Sequence, residues 1–353
     1  MSNAHLNLSE LDRLWKWPET ARQVRAGNAS ADIGRLTGSK TGRGGQGGQA
    51  IARKKLARIA SGAPEVLVKV TGRKKVGQHA ASHICYIGRH GKIELETRDG
   101  EILNTKEGMI DYAQSWDGLN DPERRQYVSA VSMVFSMPGG PAPSVVRDAA
   151  RAVADAEFSH NHDYVMALHT DTNNPHVHIS VRVAGDDGRR FNPRKMDLRR
   201  YREAFARELR DRGVEAEASP RRARGQVRSG QSMALFKQRQ DHRTGRGPQP
   251  LVDRRIHAEI RDVLSGKATF QHTAMEIGAA KGWHTARAVY DRAVAVLSRS
   301  TDPEDQKLAA KVQGFVSSFP DPNSYRMTLG KQLEQQARAA TKSRNEPDKG
   351  PER

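Results

Sequence analysis

The stretch Ala167–Val183 alternates between apolar and polar residues, and that alternation constrains the fold more than any other segment of the chain. Side chains project to opposite faces of a strand in turn. In the run from His176 onward, Val177, Ile179, Val181 and Val183 therefore share one face, while His176, His178, Ser180 and Arg182 share the other. The apolar face seeks a core and leaves the histidine face for chemistry. In the preceding run Tyr164, Met166 and Leu168 read as core, which turns His169 and then Asp171 the other way. A turn over Thr170–Pro175 folds the first strand back on the second and brings His169 near the His176/His178 pair.

Two imidazoles separated by one residue on a strand, with a third from the neighbouring strand, give three nitrogen ligands on one side of an ion. The other side stays open, as a catalytic metal requires. A His-x-His pair alone is common on solvated sheet faces. Three histidines and an aspartate between positions 169 and 178 make a much narrower pattern, and we read it as a divalent-metal site.

With 353 residues the chain can hold one sizeable domain and a second region. A hydrophobic fraction of 36% and an aromatic fraction of 5% are low for a wholly compact protein, so part of the chain is expected to be extended or disordered. The formal net charge of +18 points to a polyanionic partner, because each Lys or Arg set on a phosphate releases counterions. Between Arg189 and Arg255 there are 20 Lys or Arg against 8 Asp or Glu. The segment is dominated by arginine, whose fork suits phosphate better than the lysine ammonium, and we read it as nucleic-acid binding. The single cysteine, Cys85, rules out an internal disulfide and a multi-cysteine zinc finger. No long apolar run or signal core is found, so a soluble, cytoplasmic protein without membrane insertion is expected.

The organisation reads as follows. Residues 1–62 are a flexible basic N-terminal arm with an amphipathic patch at Leu8–Trp17 and a Gly/Ser/Lys/Arg stretch at Gly38–Gly48. Gly34–Thr41 resembles a phosphate-binding loop only superficially: the glycine sits one position early and no strand precedes it, so a nucleoside triphosphate site is rejected. Residues 63–218 form the sizeable folded domain. Within them lie a strand at Pro64–Val70, a helix at about Lys75–Ile87, a short strand at Gly91–Thr97, a helical piece at Met109–Trp116 and a strand at Val128–Met137. A helix over Val145–Phe158 with Ser144 as its N-cap, the histidine hairpin and a helix at about Asp197–Arg212 complete the domain. On the first helix Val76, Ala80, Ile84 and Ile87 form the core stripe, and His79, His83, Tyr86 and His90 form the stripe beside it. The fold class is α+β, an antiparallel sheet covered by helices. A basic linker (219–250), a small helical region (251–342) without visible chemistry and a disordered tail (343–353) follow.

Four segments carry a resemblance: Cys85–Glu96 with its tyrosine, Ala113–Trp116, Ser136–Gly140, and Ala167–Ile179 with its three histidines. In order and approximate spacing they resemble the conjugative relaxases of the plasmid-mobilisation P class, which are HUH-type endonucleases and include border-nicking endonucleases of tumour-inducing plasmids. The resemblance covers about residues 65–215. It implies an HUH relaxase-like fold, Tyr86 as nucleophile, His169, His176 and His178 as ligands of a divalent metal (Mg²⁺ or Mn²⁺), Asp171 as the acid of the third motif, and Ser136 near the DNA backbone. It also implies single-stranded DNA at a transfer origin as substrate, relaxosome accessory proteins and a type IV secretion coupling protein as partners, and export with the DNA. We add Arg182, Arg189, Arg190, Arg194 and Lys195 as candidate DNA contacts from the charge of that segment.

The chemistry is consistent with those roles. A phosphodiester repels nucleophiles, and a divalent ion polarising its non-bridging oxygen stabilises the transition state. A tyrosine is mostly protonated at neutral pH and requires a base or a nearby cation. An alternative arrangement has Asp171 orient His169 while that imidazole takes the phenol proton. Competing readings are a DNA-binding accessory protein without turnover, and a metal-dependent phosphohydrolase using water. A rolling-circle replication initiator shares the chemistry, but such proteins usually place the histidine pair before the tyrosine.

Overall fold

The computed structural model describes residues 5–16, 46–75, 78–117, 128–226 and 232–345. The rejected phosphate loop, most of the Gly38–Gly48 stretch, Val76 and the tail from 346 lie outside these residues. Two compact units divide the chain after Leu14 and after Pro220.

The unit spanning residues 15–220 is built on six strands: β1 (Leu67–Lys75), β2 (Leu95–Thr97), β3 (Ile102–Leu103), β4 (Val128–Ser136), β5 (Tyr164–His169) and β6 (His176–Arg182). Their order across the sheet is β1-β4-β6-β5-β2-β3, and every neighbouring pair is antiparallel. The helices that cover it are α3 (Gln78–Ile87), α4 (Lys106–Asp117), α5 (Pro143–Glu157) and α6 (Lys195–Asp211); α2 (Gln46–Ala60) belongs to the same unit, and α1 (Leu8–Trp15) precedes them in the chain. This is the α+β, helix-covered antiparallel sheet expected.

Period-2 alternation sends successive residues of β4 and β5 into two different cores, while β6 contributes to one of them. Val131, Met133 and Phe135 of β4, Val177, Ile179 and Val181 of β6, and Tyr164 and Met166 of β5 pack against Val146, Ala150 and Val153 of α5 and Tyr201, Phe205 and Leu209 of α6. Phe135, fully buried, meets the Phe205 ring edge-on at 5.4 Å. Such a side chain contributes roughly 3–5 kcal/mol relative to alanine. On the other face Val165 and Ala167 of β5, Leu95 and Ala130 join Ile84, Cys85 and Ile87 of α3 and Met109, Ala113 and Trp116 of α4. Trp116 is held further by its indole N–H, which donates to Asp163 at 2.8 Å. The stripe Ala80, Ile84 and Ile87 is buried as its spacing predicts.

Several sequence expectations are corrected. Residues 46–60 are not part of a flexible arm: they form α2, whose Leu56 and Ile59 are fully buried and whose Arg58 pairs with Glu217 at 3.0 Å. The glycine-rich start of the segment concealed the apolar spacing that follows it. Helix α5 begins at Pro143 with Ala142 at its N-cap, not Ser144, because proline's fixed φ suits the first helical turn. The strand β1 runs on to Lys75, so α3 starts only at Gln78.

The second unit comprises residues up to Leu14 and from Arg221 onward. Its helices are α7 (Met233–Arg243), α8 (Leu251–Leu264), α9 (Ala274–Ser298), α10 (Pro303–Ser317) and α11 (Tyr325–Asn345). Tyr290, Phe315 and Phe319 pack edge to face at its centre, and the Tyr290 hydroxyl donates to the Ala223 carbonyl at 2.7 Å. The expected linker is therefore partly structured. Arg221–Arg224 forms a 3₁₀ turn, and α7 is capped by Ser232 and tied to α8 through Arg239 and Asp253 at 2.5 Å. Helix α11 continues through Asn345, beyond the expected start of a disordered tail. Among the described residues no helix is long and apolar enough to cross a membrane.

Candidate active site

The hairpin register assembles the histidines. His169 at the end of β5 lies directly opposite His176 at the start of β6, and His178 lies opposite Ala167 on the same face. One ring nitrogen from each of His169, His176 and His178 falls within 4.8 Å of the others, and the ring centroids are 4.6 to 5.3 Å apart. On the far side of β6, Ser136 of β4 is paired with His176 and Val134 with His178. Ser136 thus sits half-buried at the edge of the cluster.

The rings are oriented by backbone carbonyls. His169 Nε2 donates to the Ile87 carbonyl at 2.7 Å, and His176 Nδ1 donates to the Asn174 carbonyl at 3.1 Å. A ring nitrogen that faces a carbonyl carries the proton, so the lone pair of each imidazole resides on the other nitrogen. His178 Nδ1 is buried and has no hydrogen-bond partner among the described residues. Burial, and then the neighbouring imidazoles of His169, His176 and His83, push the His178 pKa down to about 4. Burial likewise lowers that of His169. Two imidazoles oriented by carbonyls and an orphaned buried nitrogen on the third are the donor set a divalent transition metal would meet here, and the three residues fit one.

Tyr86 occupies the last turn of α3, flanked by the fully buried Ile84 and Ile87 on the core stripe, yet it is 67% exposed. Its ring stacks on His83 with centroids 6.4 Å apart and planes inclined by 22°. His83 has a buried Nε2 without a partner among the described residues, and burial, then Lys74, lowers its pKa to about 4. The tyrosine helix is hydrogen-bonded to the histidine cluster at Ile87, next to Tyr86 in the chain, whose carbonyl orients His169.

Asp171 does not orient His169 by a hydrogen bond. Its carboxylate pairs with the Arg89 guanidinium, and the two side chains are 49% and 45% exposed. Desolvation raises the Asp171 pKa, but its hydrogen bonds with a backbone N–H and with Arg89 hold it below the usual carboxylate range. Arg89 carried no sequence signal beyond its place in the tyrosine motif, since its partner is 82 positions away.

The expected DNA contacts separate into two groups. Arg182 is corrected: it is 7% exposed, donates to the Ala184 carbonyl at 3.0 Å and pairs with Asp186, so its fork is engaged within the fold. Alternation put it on the histidine face, but six residues of strand put it about 20 Å from His176. Arg189, Arg190, Arg194 and Lys195 are exposed beyond that same end of β6. Arg190 donates to the Val128 carbonyl at 3.1 Å, and the Arg194 backbone N–H donates to Asp197 at 2.8 Å. An exposed lysine that the charge count passed over, Lys69, is paired with Val134 and so lies on the histidine face two strands from His178.

Comparison with known proteins gives two findings. Residues 86–214 match the family described as relaxase, MobA/VirD2-like, nuclease domain. The chain is 26% identical over 133 residues to the T-DNA border endonuclease VirD2 of Rhizobium rhizogenes, covering 33% of this chain and 30% of the relative. It is 25% identical over 134 residues to the protein of the same name from Rhizobium radiobacter, covering 33% and 31%. The chain thus spans under a third of the length of these curated relatives.

Proposed function

Because residues 86–214 match a MobA/VirD2-like relaxase nuclease domain, we propose that this protein nicks and rejoins one DNA strand at the transfer origin of a plasmid or mobile element. The observation that carries the reading is the junction at Ile87, where the helix bearing an exposed tyrosine is hydrogen-bonded to a cluster of three imidazoles.

In this reading the Tyr86 Oη attacks phosphorus and loses its proton. The P–O3′ bond breaks, its oxygen leaves as a 3′ hydroxyl after taking up a proton, and the 5′ end stays joined to the enzyme as a phosphotyrosine. The diester count is unchanged, so the released 3′ hydroxyl can attack in reverse and reseal the strand. His169, His176 and His178 would hold the divalent ion, which when bound supplies Lewis-acid polarisation of the phosphate. Ile87 and Asn174 fix two of the imidazoles through their carbonyls, which limits reorganisation during the reaction. Ser136 and Lys69 border the cluster on β4 and β1, and both support a DNA strand lying across this face. Relaxosome accessory proteins and a type IV secretion coupling protein are the partners we propose for the transfer step.

The test mixes wild type, Tyr86→Phe and the His176→Ala/His178→Ala double variant with Mn²⁺ and tiled single-stranded oligonucleotides from the encoding replicon. Denaturing gels then report protein joined to a 5′ end. An adduct is expected with wild type alone, with Tyr86→Phe retaining DNA affinity and the double variant losing metal binding and cleavage together. Adducts with Tyr86→Phe would reject the nucleophile. Free cleaved ends without adduct would mean a hydrolase, and binding without cleavage over complete tiling an accessory protein.

A further inference from the structure

The turn that follows the tyrosine helix has an unusual backbone. Arg89 and His90 are at φ 47° and 56°, the only non-glycine residues at positive φ among those described, and Gly91 follows at 92°. Consecutive L-residues seldom adopt this region, and where they do the surrounding structure holds them there for a reason. Here the conformation delivers the Arg89 guanidinium to Asp171, in the turn that follows His169. Together with the bond between Ile87 and His169, this pair makes a second tie between the end of α3 and the end of β5.

We propose that Arg89 is a positioning residue. With Asp171 it latches the tyrosine helix to the histidine hairpin and sets how Tyr86 approaches the phosphate held there. This inference rests on the relaxase reading for its kinetic consequence but not for its structural one. It gives Asp171 a different task from orienting an imidazole: the carboxylate holds Arg89, while a backbone carbonyl orients His169. The pair is too exposed to matter much for global stability, so variants are expected to fold.

Arg89→Gly suits the left-handed backbone and deletes the latch. The single-turnover rate of adduct formation should fall about fivefold, the most that loss of an exposed ion pair can shift the latched population. Affinities for single-stranded DNA and for Mn²⁺ should stay within about threefold, because neither ligand's own contacts change. Amides 88–93 should exchange with solvent faster in Arg89→Gly, whether or not DNA is present. The charge swap Arg89→Asp/Asp171→Arg is the decisive partner, since aspartate tolerates positive φ and the ion pair can re-form reversed. It should recover most of the rate lost in either single variant, as coupled partners do.

Arg89→Gly with wild-type rate and wild-type exchange overturns the proposal. So does Asp171→Asn inactivity that the swap leaves unrelieved, which would return Asp171 to the imidazole. A weakened DNA affinity with an unchanged rate at saturation would make Arg89 a phosphate contact instead. If wild type forms no adduct at all, the relaxase reading fails, and amide exchange in Arg89→Gly against the swap still decides the latch.

Discussion

Replacing Gly91 by alanine tests how rigidly the turn beside the tyrosine helix is built. Gly91 has φ 92°, and a Cβ added there would lie 3.1 Å from the Asn104 carbonyl oxygen, 3.3 Å from the Lys106 nitrogen and 3.4 Å from the Thr105 Cα. All three are backbone atoms, so no side chain can swing aside. The positive φ costs an L-residue about 1–2 kcal/mol. The crowding adds roughly 1 kcal/mol, the lower end of overpacking penalties, and reduced freedom of the unfolded chain offsets about 0.4–1 kcal/mol. The net loss is about 2 kcal/mol. Gly100, at φ 84° with nothing within 4 Å of its Cβ position, is the control, because Gly100→Ala meets the backbone penalty without the crowding. Its loss should be about 1 kcal/mol. The reporters are amides: Ile93 donates to the Gly88 carbonyl at 3.0 Å, and Thr97 donates to the Glu101 carbonyl at 2.9 Å. Native-state hydrogen exchange at Ile93 should accelerate roughly thirtyfold in Gly91→Ala, and at Thr97 about fivefold in Gly100→Ala. Unchanged protection at Ile93, or equal losses in the two variants, would refute the argument that backbone contacts close this turn.

Two more expectations can be checked without a substrate. His178 and His83, with pKa values near 4 in the fold against an ordinary 6.5, stay neutral while the unfolded chain takes up protons. Their contribution to stability is therefore present above the ordinary value and lost as pH falls towards about 4, so the urea midpoint should drop across that window. Proton NMR that finds either ring charged at pH 6 would contradict it. Second, the Ser132 and Ser180 hydroxyls share a hydrogen bond of 3.0 Å while almost fully buried. Either single alanine should cost about 1–3 kcal/mol by stranding the partner, and the double variant less than either, measured as coupling in a double-mutant cycle.

The hairpin was legible because alternation fixes both the facing and the register of a strand, and its register alone brings His169 to His176. The stripe on α3 was legible for the same reason at helical period, and it put Tyr86 beside the core with its ring outside. What could not be read were pairings between distant positions. Arg89 and Asp171 meet only once the turn at 89–91 takes its left-handed form, which residue types other than glycine do not announce. Arg182 satisfied the facing rule and failed on position along the strand, where a carboxylate and a carbonyl were waiting for it. Helix α2 was missed because its glycine and charge content resembles a tether, although Leu56 and Ile59 fall on one side of it.

Strand β5 has apolar residues committed to two cores, Tyr164 and Met166 to one and Val165 and Ala167 to the other, while its partner β6 commits Val177, Ile179 and Val181 to the first core and sets polar residues on its opposite face. A slip of one position would exchange both sets at once, so the strands cannot drift to accommodate a change in the segment that joins them. The consequence is a division of labour open to engineering and to divergence. Within residues 170–175, Asp171 and Asn174 are tied to Arg89 and His176, whereas the exposed Asn173 between them can be exchanged while the three imidazoles keep their mutual spacing, so a domain of this build can acquire a new contact at its hairpin tip without rebuilding its chemical centre.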